Sequence, residues 1–98
     1  MAFIDEYGFD MLKNEAEKLV INEIEEQLKT GNEEMCRCNE CIVDIGAIAL
    51  SSVKPIYHSS LLGTLYASKA MSEGGYADSV KNAVEQAIEK VKKNPAHD

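Results

Sequence analysis

The sequence predicts an all-α fold, a small domain of about four helices, and three features predict it. Apolar residues recur at helical spacing through residues 4–28 and again through residues 77–93. Between them, residues 39–53 form an almost wholly apolar run that Pro55 stops. Turn formers separate these stretches, at Thr30-Gly31-Asn32 and at Gly74-Gly75.

The first helix carries Leu12, Ala16, Leu19, Val20, Ile24 and Leu28 on one face, with Glu15, Glu17, Glu23, Glu25 and Glu26 between them. Asp5 or Asp10 is a suitable cap for its start, and Gly31 sits where the residue after a helix end belongs. Ile21 falls beside the main stripe and widens it, so this helix is expected to touch neighbours on two sides. Residues 30–40 show no periodicity and read as a loop. Asn39 is then the expected cap of a second helix running to about Val53.

The second helix is of a different kind. Cys41, Ile42, Val43, Ile45, Ala47, Ile48, Ala49 and Leu50 leave almost no polar face, and a helix apolar all round has to be covered all round. At about 1.5 Å per residue it is too short to span a bilayer. A chain of 98 residues has few elements to surround it, so burial in an intertwined or face-to-face homodimer is expected. The rival is a monomer whose other helices wrap it. Pro55 to Ser60 is expected to be extended, Leu61 to Met71 to form a short third helix weakened by Gly63, and Ala77 to Lys93 the last helix. In that helix Val80, Ala83, Val84, Ala87, Ile88 and Val91 share one face, and Lys90, Lys92 and Lys93 complement the dipole at its end.

Residues 1–98 are expected to form one domain, since chains this short rarely divide into two cores. No stretch reaches the roughly 18 apolar residues of a membrane span. The acidic start around Asp5 and Glu6 is unlike a basic leader, so a cytoplasmic protein without membrane contact is expected. The net charge is −7 and there is a single Arg, which argues against direct nucleic-acid binding. Residues 1–50 hold 12 acids and 4 bases, and residues 51–98 hold 5 acids and 6 bases, so the halves are expected to attract within a subunit or across a dimer.

The chemistry lies in the cysteines. Cys36-Arg37-Cys38-Asn39-Glu40-Cys41 places all three within six residues, a poor disulfide framework but a good metal-ligand arrangement. A Cys-x-Cys pair on a loop and a third Cys one turn into a helix can present three sulfurs to one centre. Near a helix N-terminus the dipole and unpaired amides favour thiolate, the form that binds zinc. One zinc ion per subunit is therefore expected. Three reduced thiols, a Cys38-x-x-Cys41 redox pair or an iron–sulfur cluster are the competing readings. Three thiolates leave one tetrahedral position, for which His58, Asp44, Glu40, water or a group of a second subunit are candidates; His97, in a polar tail, is set aside. Asp44, a single charge on an apolar helix, needs a partner such as Arg37, Lys54 or the cysteine loop. No Ser/His/Asp set, glycine-rich phosphate loop or carboxylate pair with a nearby base is seen, so an enzyme is not expected.

Cys36-x-Cys38-x-x-Cys41, followed by Asp44-Ile45-x-Ala47-x-Ala49-Leu50 and Pro55-x-Tyr57, resembles the late competence protein ComFB family. The Asn14-Glu15 helix and the Ala83/Ala87/Val91 helix ending at Asn94-Pro95 extend the likeness over most of the chain. Ser51 and Lys54 stand where the family has an Asn and a first proline. The resemblance implies a small, non-enzymatic helical dimer that holds zinc where the cysteines are retained. It implies a place beside the DNA-uptake machinery, with competence proteins as partners. Some family members are described as receptors for cyclic di-GMP. That gives the alternative, a sensor with a cleft at the dimer interface, although no binding motif maps onto these residues beyond the one Arg.

Overall fold

The first apolar stripe becomes a long helix only from Ala16 onward. The computed structural model describes residues 2–59 and 61–95. A one-turn helix α1 (Phe3–Glu6) and a 3-10 turn at Phe9–Met11 come first, followed by a two-residue strand β1 (Lys13–Asn14). Helix α2 then spans Ala16–Lys29. The expected start at residue 4 is thus corrected, and neither Asp5 nor Asp10 caps α2. Two causes act together. Asn14 enters a ladder rather than a helix, and its Oδ1 accepts from the amides of Ala16 (3.2 Å) and Ile56 (2.8 Å), which ends the helix at that point. Upstream there is no core to reward the helical register: Phe3, Ile4, Tyr7, Met11 and Leu12 are all exposed. Phe3 instead stacks locally, with ring centroids 4.7 Å from Tyr7 and 5.9 Å from Phe9.

Helix α3 (Asn39–Ser52) and helix α5 (Tyr76–Lys93) complete the packed centre with α2. Ala16, Val20 and Ile24 of α2 meet Cys41, Ile45 and Ala49 of α3 and the whole expected stripe of α5, Val80 through Val91. Val53 and Met35 close the two ends of this cluster. Helix α5 begins one residue earlier than expected because Gly75, at φ +89°, turns the chain in the left-handed region that favours glycine. Its first residue, Tyr76, donates its hydroxyl to the Lys54 carbonyl at 2.8 Å. That bond ties the start of α5 to the chain leaving α3.

The extended stretch after Pro55 contains β2 (Tyr57–His58), which pairs antiparallel with β1 in the register Lys13↔His58 and Asn14↔Tyr57. Ser60, the end of that expected stretch, lies outside the described residues, as does His97. Helix α4 (Leu61–Ser72) follows where the third helix was expected. The protein is mostly helical, with this short ladder as an addition to the all-α expectation. Among the described residues no helix is long and apolar enough to cross a membrane.

Among the described residues, helix α3 is fully buried along one stripe and partly open elsewhere. The partners α2 and α5 take the stripe at Cys41, Ile45 and Ala49, while Val43 remains 61% exposed and Ala47 is open as well. Ile42, Val43, Ala47 and Leu50 form one wall of a groove of about 580 Å³, and Ile21, Ile24 and Leu28 of α2 form the other. Glu17 and Glu25 also line it. Ile21, 59% exposed, lines this open groove and packs outside the core, so the second neighbour expected for this face of α2 is not seen among the described residues.

Candidate metal centre

The site is assembled where α2 ends. The last carbonyls of a helix have no partner within it and must find one outside. The Thr30 hydroxyl donates to the Glu26 and Gln27 carbonyls at 3.4 and 3.5 Å. Arg37 takes the next one: its Nη2 donates to the carbonyls of Leu28 (3.0 Å), Gly31 (3.1 Å) and Asn32 (3.3 Å). The turn itself is made at Asn32, whose φ of +62° lies in the left-handed region that Asn tolerates better than most residues. Gly31, the expected residue for this position, does not have positive φ. Met35 then plugs the loop into the core, 6% exposed, with its amide donating to the Asn32 carbonyl at 3.1 Å.

Three residues later Cys38 caps α3. Its Sγ accepts from the Cys41 amide at 3.5 Å, so the cap is Cys38, one place before the expected Asn39, which is the first residue of the helix. The three cysteines are graded in depth: Cys36 is exposed, Cys38 half-buried and Cys41 buried. Their sulfurs all lie within 4.8 Å of one another. A tetrahedral zinc with Zn–S near 2.3 Å needs sulfurs about 3.8 Å apart, so the set fits a single thiolate-bound ion with small side-chain adjustment. Soft sulfur donors at a helix N-terminus suit such an ion in charge as well as in distance.

Among the described residues no His, Asp or Glu joins this group. His58 is spent elsewhere, on β2, where its Nε2 lies 2.6 Å from Oε1 of Glu15 and its Nδ1 is buried without a hydrogen-bond partner among the described residues. Glu40 is exposed on the first turn of α3. Asp44 is half-buried and makes no hydrogen bond or ion pair among the described residues, so its partial exposure to water replaces the expected partner. Arg37, one of those expected partners, has its guanidinium on the carbonyls that end α2.

A contact that the sequence did not suggest completes the loop. Lys92, near the end of α5, donates to Asn32 Oδ1 at 3.0 Å and pairs with Glu34 at 2.7 Å and Glu89 at 3.7 Å. The Glu34 bond holds the Lys92 ammonium above its ordinary pKa, and the same bond holds Glu34 below the ordinary carboxylate value. This is an attraction between the acidic first half and the second half of the chain, realised within one subunit. Only charge balance pointed to it, because no spacing relates residues 34 and 92.

Compared with known proteins, residues 13–95 match a family model described as late competence development protein ComFB. No curated protein matches the chain.

Proposed function

The chain belongs to the ComFB family of late competence development proteins, and on that premise we propose that it is a non-enzymatic, zinc-binding homodimer serving as an adaptor in DNA uptake. The observation that carries the reading is the triad of Cys36, Cys38 and Cys41, with three sulfurs within 4.8 Å at the start of α3. Bound zinc supplies a cross-link between the loop and the helix and thereby fixes where the most apolar helix begins. A structural role is supported in that, among the described residues, no carboxylate or imidazole joins the three sulfurs as a candidate general base.

The second copy occupies the groove between α2 and α3. Its walls are mainly apolar, with Glu17 and Glu25 also lining it, and small Gly46 and Ala47 in the α3 wall let another helix approach closely. A two-fold contact would place α3 of each subunit against the other and supply the cover that the apolar helix lacks. The fourth zinc ligand is water or a group brought by that partner. The sensor alternative has less support: the one Arg available to stack on guanine is committed to three carbonyls.

The test has two parts. Zinc content and molar mass in solution examine the molecule; transformation frequency of a naturally competent host lacking the gene examines the role. Restoration by the wild-type gene and weak restoration by Cys38→Ser are expected. Undiminished DNA uptake without the gene would overturn the adaptor reading. Titration with cyclic di-GMP is expected to give no binding heat at micromolar protein, and saturable one-site heat would favour the sensor.

A further inference from the structure

We infer that Arg37 is a positioning residue for the thiol triad, and that Lys92 acts with it through Asn32, so that the metal loop is shaped by the protein before any ion arrives. The inference rests on the zinc reading above and adds to it the device that sets the ligand geometry. Arg37 lies between two of the sulfur-bearing residues, yet its guanidinium reaches back to the end of α2 and holds the carbonyls of Leu28, Gly31 and Asn32. Asn32 is the node of the arrangement. Its carbonyl receives Arg37 and the Met35 amide, its side chain receives Lys92, and its backbone has a positive φ. Glu34, the next charged group toward Cys36 after Glu33, is held by the same Lys92.

The physical consequence follows from where the bonds fall. Every bond of the clamp precedes Cys36 or springs from Arg37 itself, and the Cys38 cap on the Cys41 amide fixes the other side. Cys36 and Cys38 are therefore set from both flanks by contacts that need no metal. A loop already ordered gives up less conformational entropy on binding than a mobile one. Supporting partners outside the ligand shell typically change metal affinity by about 10- to 100-fold when removed. Charge is a separate contribution: a cation carried by the same short loop also lowers the mutual repulsion of the thiolates. The two effects separate by substitution, because Lys keeps the charge but its side chain is one bond shorter and does not place a donor where Nη2 makes all three contacts.

The experiment titrates zinc into metal-free protein against a chromogenic chelator, for wild type, Arg37→Gln, Arg37→Lys and Lys92→Met. Hydrogen exchange of residues 31–38 is followed in the same metal-free samples, and far-UV circular dichroism checks the helices. Wild type is expected to show protected loop amides without metal. Both Arg37 variants are expected to lose that protection and weaken zinc binding by about 10- to 100-fold, and Lys92→Met, on a distant helix, should weaken it less. Wild-type affinity in Arg37→Gln would overturn the positioning role, and full rescue by Arg37→Lys would replace it with a charge effect. A wild-type protein that takes no zinc would overturn the metal reading itself and this inference with it. A metal-binding wild type with an unprotected loop would overturn the inference alone.

Discussion

The His58 imidazole meets the Glu15 carboxylate across 43 residues of sequence, with Nε2 2.6 Å from Oε1 and both side chains largely buried. Glu15 immediately precedes α2 and His58 ends β2, so the contact locks the ladder between β1 and β2 to the first turn of the helix. Asn14 reinforces it by accepting from Ala16 and Ile56 on the same two segments. His58 therefore has a role in the fold, one that takes it out of the metal centre.

The Glu15–His58 contact has a pH signature. The hydrogen bond with His58, aided by the Lys18 charge, holds the Glu15 carboxyl below its ordinary value of 4.5 against the opposing effect of burial. A carboxyl lowered in the folded state stabilises the fold above its unfolded pKa, and that stability is lost as pH falls through the folded value. The melting temperature of wild type should therefore drop below about pH 5, and Glu15→Gln should melt lower at neutral pH with a shallower acid decline. Equal acid slopes in the two proteins would remove the contact from the account.

The two faces of α3 should respond differently to substitution. Ile45 is fully buried among α2, α3 and α5, so Ile45→Ala should cost about 2–5 kcal/mol of stability, read by denaturant unfolding. Val43 on the open face touches little within the subunit. Val43→Glu should keep the helical circular dichroism and turn the proposed dimer into a monomer in light scattering. An unchanged mass for Val43→Glu would move the dimer contact away from this groove.

Cys38→Ser should separate the cap of α3 from the metal. Serine is itself a good capping residue, so the bond to the Cys41 amide keeps an acceptor while the thiolate ligand is gone. Metal occupancy and melting temperature should fall together, and in wild type zinc affinity should fall as protons compete for the sulfurs at lower pH. Elemental analysis and differential scanning calorimetry check this. A variant of full melting temperature would mean that the triad contributes nothing to the fold.

With a net charge of −7 and one Arg already bound to carbonyls, the protein should not shift duplex or single-stranded DNA in gels at physiological salt. Micromolar binding with a steep salt dependence would contradict this.

How much of this was legible in the sequence depends on how locally each feature is determined. Helix α5 was readable to within one residue of its start, because six apolar residues share one face and all six are buried. The cysteine triad was equally readable, since its spacing within one loop and one turn leaves the sulfurs little choice but to converge. The start of α2 was not. Apolar spacing continues back to Leu12, but spacing shows only that a stripe is available, and Leu12 lies outside the core cluster, 49% exposed. The Asn14 bonds that stop the helix depend on Ile56, which is distant in sequence. The same holds for His58, whose partner Glu15 looked like one more carboxylate on a polar face. Arg37 and Lys92 were hidden for a related reason, because their partners are backbone carbonyls and an Asn whose positions only the folded loop defines.

The central claim, a zinc-bound triad within a dimer, is tested most directly by native mass spectrometry of the purified protein. The account predicts a species of about twice the 10.8 kDa chain mass carrying one zinc ion per subunit, with loss of zinc from Cys38→Ser. A metal-free monomer as the only species from zinc-replete preparations would contradict it.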